Sequence, residues 1–203
     1  MTSWCSCAKP SFGFAYSHYL NLWVKPCCHR PTRAFVNPDG SYRSMPIKTN
    51  GPDMASLIRH SNMIEGVVSL KEIDQSLDAW FYLRIRKTLT TEIILRVHRL
   101  IMLNFLHGPE IGQYRKCKVY ITGTQSRVAD PNDIPDLMDD WIKLYNSGED
   151  PKILHIEFEK IHPFIDGNGR VGRMLMWHQQ MLQGTQPTFI RFEERENYYN
   201  WFH

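Results

Sequence analysis

A mainly α-helical domain with one small β element is the fold class this sequence predicts, and three observations carry the prediction. From Asp53 onward, apolar residues recur every three or four positions in successive stretches, each opened by a capping residue and closed by glycine or proline. Only Tyr114 to Thr122 changes period, setting Tyr114, Lys116, Lys118 and Tyr120 against Arg115, Cys117, Val119 and Ile121, the alternation of a short strand or hairpin. The length, 203 residues, suits one domain with an appendage, because cores usually divide only beyond roughly 250 residues.

The elements follow in chain order. Asp53 to Glu65 reads as a short helix stopped by Gly66, a residue suited to the left-handed cap. Ser69 and Glu72 form a capping box that starts a second helix running to Asp78 and beyond. Thr91 opens a third, with Ile94, Val97, Ile101 and Phe105 on or near one face and Gly108 as its stop. Asp133 caps a fourth bearing Ile134, Leu137, Met138, Trp141 and Tyr145, ended near Gly148. Asp150 and Pro151 supply a cap and a first-turn proline for a fifth, which must end before Pro163. A last strong helix is expected from about Arg170 to Gln183, with Gly184 as its stop.

Residues 1 to 45 keep no helical or alternating period and read as a loosely organised extension. Four of the five cysteines, Cys5, Cys7, Cys27 and Cys28, lie there, leaving only Cys117 elsewhere, so no disulfide framework spans the chain. Neither the CxC nor the CC pair has the spacing of a structural zinc site, so reduced, unliganded thiols are expected. The apolar stretch Phe12 to Val24 carries Ser17, His18 and Asn21 and is too short to span a bilayer, and no basic segment precedes it as in a signal peptide. A cytoplasmic protein without a membrane partner is therefore expected. With 42% hydrophobic and 22% charged residues the composition is globular, and a net charge of +3 is too small to argue for nucleic acid.

Chemistry concentrates in His162 to Arg173, reading HPFIDGNGRVGR, which packs an imidazole, a carboxylate, an amide, three glycines and two guanidinium groups into twelve residues. A helix ends at Ile161, Pro163 turns the chain, Gly167 and Gly169 permit backbone shapes closed to other residues, and a new helix begins. The loop thereby aims free N–H groups and a positive dipole end at one point, an anion site. Arg170 and Arg173 stand three apart, so both can grip phosphate oxygens. Two cations at a helix start oppose the dipole unless an anion sits there. Asp166 is a hard oxygen ligand suited to magnesium on a phosphate, and His162 stands where a base could take a hydroxyl proton. No GxxxxGK(S/T) occurs, and a helix rather than a strand precedes the glycines, so neither a Walker loop nor a dinucleotide fingerprint is present.

HPFIDGNGRVGR resembles the Fic family signature HPFx(D/E)GNGRxxR at every fixed position. The resemblance extends from about Ala55 to the end and implies a Fic-type helical bundle core with a small β-hairpin flap. It implies a protein adenylyltransferase that moves AMP from ATP to a Ser, Thr or Tyr hydroxyl of a target protein, with ATP and Mg²⁺ required. The roles it implies are His162 as base, Asp166 as Mg²⁺ ligand, Gly167, Asn168 and Gly169 as phosphate cradle, and Arg170 and Arg173 as ligands of the outer phosphates. Gly169 argues against the family's kinase-like branch, which carries Lys after the Asn. Tyr114 to Thr122 is similar to the flap, where Val119, Tyr120, Ile121 and Thr122 would edge the nucleotide. Tyr198 and Tyr199 resemble a pair near adenine and ribose, and His155 a packing position.

SNMIEG, Ser61 to Gly66, looks like the family's inhibitory (S/T)xxxE(G/N) helix, with Ser61 and Glu65 four apart on one face. By that likeness Glu65 reaches Arg173 and occupies the γ-phosphate position. The domain expectation is thus an extension over 1–45 and a Fic domain over 46–203, with the inhibitory helix at about 53–66, the flap at about 113–123 and the catalytic loop at 162–173. The family's core continues past the position of His203, so the chain reads as C-terminally short. Self-modification and a homodimer are compatible with the resemblance. Two alternatives use the same residues: removal of AMP, with Glu65 orienting a water, and a non-catalytic module that binds nucleotide or protein.

Overall fold

The computed structural model describes residues 15–17, 22–24, 53–103, 105, 110–120 and 128–202. The chain divides into two compact units, Met1–Lys48 and Thr49–His203. In the first, β1 (Ala15–Ser17) pairs antiparallel with β2 (Leu22–Val24), Tyr16 standing opposite Trp23. Three residues per strand are too few for alternation to register in the sequence. The four clustered cysteines lie outside the described residues.

The second unit is helical: α1 (Met54–Ile64), α2 (Leu70–Leu83), α3 (Thr91–Met102), α4 (Ile134–Ser147), α5 (Pro151–Ile161), α6 (Asn168–Leu182) and the single turn α7 (Arg195–Tyr199), flanked by 3₁₀ turns. The caps explain the starts. Asp53 accepts from the Ser56 N–H at 2.7 Å, Asp150 from Lys152 and Ile153 at 2.9 Å each, and Ser69 and Glu72 close the capping box ahead of α2. Gly66 and Gly148, at φ 72° and 87°, take the left-handed turns after α1 and α4. No helix among the described residues is long and apolar enough to cross a membrane.

Two bounds differ from expectation. α3 stops at Met102, where an i−3 bond from the Phe105 N–H to the Met102 carbonyl at 3.0 Å tightens the turn and lays the Phe105 ring over Arg170. Gly108, its expected stop, lies outside the described residues. α6 begins at Asn168, two residues early, because left-handed Gly167 serves as its cap position.

The core gathers on α6, where Val171, Met174, Leu175 and Trp177 are buried against α5, α3 and α1. Each such side chain contributes about 1.5–3 kcal/mol of transfer free energy. Hydrogen bonds from Trp141 Nε1 to the Leu154 carbonyl (2.8 Å) and Trp177 Nε1 to the Thr188 carbonyl (2.9 Å) satisfy the buried indoles. α6 is therefore rigidly held, and its N-terminus carries the signature loop.

Residues 110–120 hold no strand, and the rest of the expected hairpin, 121–123, lies outside the described residues. The Arg115 N–H donates to the Pro163 carbonyl (2.9 Å), and the Arg115 guanidinium donates to the carbonyls of His162 (2.7 Å), Cys117 (2.9 Å), Ala129 (2.6 Å) and Ile161 (3.4 Å). This buried cation satisfies carbonyls left free at the end of α5 and ties the segment to the loop.

Candidate active site at the start of α6

His162 ends α5 in the left-handed conformation, φ 50°, the one non-glycine positive φ among the described residues. That backbone is strained for an imidazole-bearing residue and swings the ring out of the helix. Its N–H still caps the Phe158 carbonyl at 2.8 Å, so the strain is held by the fold. Nδ1 is buried without a side-chain partner, 3.8 Å from Glu159 Oε2, and the Glu159 backbone carbonyl favours a proton on the ring. Burial depresses the ring's pKa below its ordinary value.

Asn168 closes the loop on itself. Its side-chain oxygen accepts from the Phe164 N–H and its NH₂ donates to the Phe164 carbonyl, both at 2.9 Å. The amide is thus committed to the loop's shape. His98, on α3, braces the other side: Nε2 lies 3.1 Å from the Asp166 carbonyl, Nδ1 accepts from the Gly112 N–H at 2.9 Å, and the ring stacks on Phe164 at 3.9 Å. This pattern needs the neutral, Nε2-protonated ring, and burial lowers its pKa to about 4. The glycines are sterically required. A Cβ on Gly167 (φ 81°) would stand 2.6 Å from Met102 Sδ, and one on Gly169 would collide with Glu65 Oε1 and lie 2.9 Å from Arg173 Nη1.

Asp166 is half exposed. Its Oδ1 accepts from the Gly167 N–H at 2.6 Å, and its Oδ2 lies 3.6 Å from Arg170 Nη2. Arg170 is buried beneath Phe105, with its guanidinium 4.5 Å from the ring centre and Nη2 3.1 Å from Met102 Sδ, while Nε and Nη1 have no partner. Arg173 is saturated instead: Nε donates to Ser61 Oγ (2.8 Å), Nη1 to Tyr198 Oη (3.0 Å), and Nη2 to the Ser61 carbonyl (3.0 Å) and Glu65 Oε1 (2.7 Å). Burial works against its charge, yet Tyr198, Glu65 and Glu159 outweigh burial and hold its pKa above the ordinary arginine value.

Sequence reasoning did not single out Arg115, His98, Phe105 or Glu159. Glu159 sits three residues before His162 on one face of α5, a spacing that could have drawn notice. Its side chain is largely buried, and burial pushes its carboxyl up to about 8. The Tyr198 hydroxyl is buried, bonded to Arg173 and lies 2.9 Å from His155 Nε2, so both residues belong to the arginine's surroundings. Tyr199 is half exposed, Val119 half-buried and Tyr120 exposed, whereas Ile121 and Thr122 lie outside the described residues.

One magnesium-type ligand fits this geometry: Asp166 offers a half-exposed carboxylate, and no group of three or more His, Cys, Asp or Glu among the described residues gathers to hold an ion. An ion there would take its remaining oxygens from phosphate and water.

Comparison with known proteins matches residues 88–185 to the Fic/DOC family. A protein adenylyltransferase Fic of Nematostella vectensis is 32% identical over 158 residues, covering 72% of this chain and 34% of that protein. Its Drosophila willistoni counterpart is 32% identical over 156 residues, covering 73% and 30%. The chain therefore spans about a third of the length of these curated relatives. Among solved structures, a Fic-domain-containing signaling protein from Bacteroides thetaiotaomicron superposes with a TM-score of 0.63 at 23% identity, over 72% of this chain and 69% of that one. Fic-1 from C. elegans gives 0.59 at 23% identity, over 75% and 58%. These two likenesses concern the fold.

Proposed function

The chain carries a Fic/DOC family domain, and from that premise we propose that it is a protein adenylyltransferase held in check by Glu65. The observation that carries the reading is the Glu65–Arg173 pair, which joins residues 108 apart in sequence across two elements, α1 and α6. The activity rests on the named relatives and on the loop chemistry.

In the proposed reaction the target hydroxyl oxygen attacks the α-phosphorus of ATP, the bond from that phosphorus to the β-phosphate oxygen breaks, and pyrophosphate leaves. His162 takes the hydroxyl proton. Burial keeps its imidazole neutral near pH 7, and with Nδ1 buried, Nε2 is the atom left to meet the hydroxyl. The N–H groups at the start of α6, shaped by the Asn168 clamp, receive phosphate oxygens. Arg170 supplies two unpaired donors to the outer phosphates. Asp166 would hold Mg²⁺, which when bound neutralises phosphate charge. Arg173 joins only after Glu65 and Ser61 release it. Val119 and Tyr120 of the flap segment and Tyr199 line the approach to the nucleotide, while Tyr198 supports Arg173.

A second reading, hydrolytic removal of AMP, draws on the remaining exposure of Glu65, 34%, beside Gly169, where the carboxylate could orient a water. One experiment separates the readings. Wild type and Glu65→Gly are incubated with ATP labelled at the α- or the γ-phosphate, and with a pre-modified target. Label from α-ATP alone should become protein-bound, at least about tenfold more in Glu65→Gly, since one charge-assisted bond to a guanidinium is lost. γ-Label on protein, or folded ATP-binding protein with neither label, overturns the reading; loss of AMP removal in Glu65→Gly supports the second.

A further inference from the structure

Three buried polar atoms behind His162 lack hydrogen-bond partners: His155 Nδ1, Glu159 Oε1 and His162 Nδ1. His155 and Glu159 stand four apart on one face of α5, and His162 follows three residues later as its left-handed cap. That face meets α6 where α6 has no side chain. A Cβ on Gly172 would lie 2.8 Å from His155 Nδ1 and 2.9 Å from Glu159 Oε1, so these two unpaired atoms converge on the same small space. The other carboxyl oxygen, Oε2, is the one 3.8 Å from His162 Nδ1.

The His155 end of that face fixes proton positions. Arg173 Nη1 can only donate, so it donates to Tyr198 Oη, and the Tyr198 hydroxyl proton is free to go to His155 Nε2 at 2.9 Å. Burial keeps His155 neutral, its pKa lowered to about 3. A neutral imidazole that accepts at Nε2 carries its proton on Nδ1, beside Glu159. A chain of groups then runs from Arg173 through Tyr198, His155 and Glu159 to His162.

We propose that Glu159 is a positioning residue for His162, engaging Nδ1–H so that Nε2 faces the target hydroxyl, and that His155 and Tyr198 tie this pair to Arg173. The proposal rests on the assignment of His162 as the base. No atom of Glu159 touches substrate. It acts by selecting the ring's tautomer and by stabilising the imidazolium formed when His162 takes a proton, the logic of a carboxylate behind a catalytic histidine. The charged and titratable groups facing Glu159 are Arg173, Glu65, Tyr198, His155 and His162. Burial and Glu65 favour its neutral form and Arg173 its ionised form, with the balance about 8. Below that value the carboxyl is neutral and supports the imidazolium weakly; above it the carboxylate supports it fully.

The test is made in the Glu65→Gly protein with two readouts. The first is the rate of AMP transfer from pH 6.5 to 9.5. It should climb about tenfold through pH 8, and Glu159→Gln should flatten the climb, since an amide cannot ionise. The second is nitrogen NMR of the His162 ring, which does not require transfer. His162 should be the Nδ1–H tautomer in the parent and in Glu159→Gln, whose amide oxygen still accepts, and a mixture in Glu159→Leu. Tyr198→Phe should disturb the His155 ring signals, and Gly172→Ala should reproduce part of the Glu159→Leu effect by displacing both neighbours. An unchanged tautomer in folded Glu159→Leu, or an unchanged pH climb in Glu159→Gln, overturns the proposal. If Glu159→Leu fails to fold, Glu159→Gln decides. If no variant transfers AMP, the NMR result decides, and only the assigned activity has failed.

Discussion

Arg170 and Arg173 leave α6 three residues apart, both buried, and from sequence alone they are equivalent hands for a phosphate. The fold makes them unlike. Around Arg173 the chain supplies four acceptors, from Ser61 twice, Glu65 and Tyr198. Around Arg170 it supplies an aromatic face, a thioether and one carboxylate oxygen at 3.6 Å, and two nitrogens stay unpaired. Unpaired buried donors cost about 1–3 kcal/mol each. On the proposed function, an arriving phosphate would relieve that cost at Arg170, whereas at Arg173 it would have to displace bonds already made. Arg170 would then be the poised hand and Arg173 the latched one, so that the site would bind a nucleotide and still be restrained.

The sharpest way to break this contrast is a double-mutant cycle with Glu65. Arg173→Ala should cost at least about a hundredfold in AMP transfer in the Glu65→Gly protein and little in wild type, because only the released guanidinium reaches phosphate. Arg170→Ala should weaken ATP binding by about tenfold in both backgrounds, measured by calorimetry, since its donors are free in either. Equal coupling of both arginines to Glu65 would dissolve the distinction between poised and latched.

A smaller effect tests the latch from α1. Ser61→Ala removes the acceptor of Arg173 Nε but leaves the Ser61 carbonyl and Glu65 in place. A bond to a charged donor is worth about 1.5–3 kcal/mol, and partial compensation reduces its loss, so transfer should rise about threefold to tenfold with a lowered melting temperature. A Ser61→Ala protein with wild-type transfer would show that Glu65 alone closes the latch.

Much of this was legible before any coordinates. Helix boundaries were, because caps and glycines are local signals: Ser69 with Glu72, Asp150 with Pro151 and Gly148 each act on their own turn. The glycine-rich turn between α5 and α6 was as well, its residues being contiguous. What sequence could not supply was the spending of hydrogen bonds between distant segments. Asn168 looks like a phosphate ligand until its amide is found closing on Phe164, and Tyr198 becomes a neighbour of Arg173 only once α7 folds beside α6. Arg115 reads from sequence as one position of an alternating stretch, and only the fold brings its guanidinium to four carbonyls, three of them far along the chain.

The smallest expected effect concerns what holds Arg170 in its poised state. Its guanidinium lies 4.5 Å from the Phe105 ring centre, where the ring's negative face offsets part of the lost hydration without using an N–H. The support differs in kind from that of Arg173: a stacked ring leaves the donors free, whereas a carboxylate consumes them. Phe105→Leu keeps an apolar cover and removes the quadrupole, about 0.5–2 kcal/mol when desolvated. The side chain should then lean on the Asp166 carboxylate, now 3.6 Å away, and ATP affinity should fall about threefold with transfer at saturating ATP unchanged. Because Glu65 makes no hydrogen bond to Arg170 and reaches it only through its charge, the loss should be nearly the same with and without Glu65. A loss confined to the Glu65→Gly protein would mean that Phe105 serves Arg173 after all, and the two arginines would share one support.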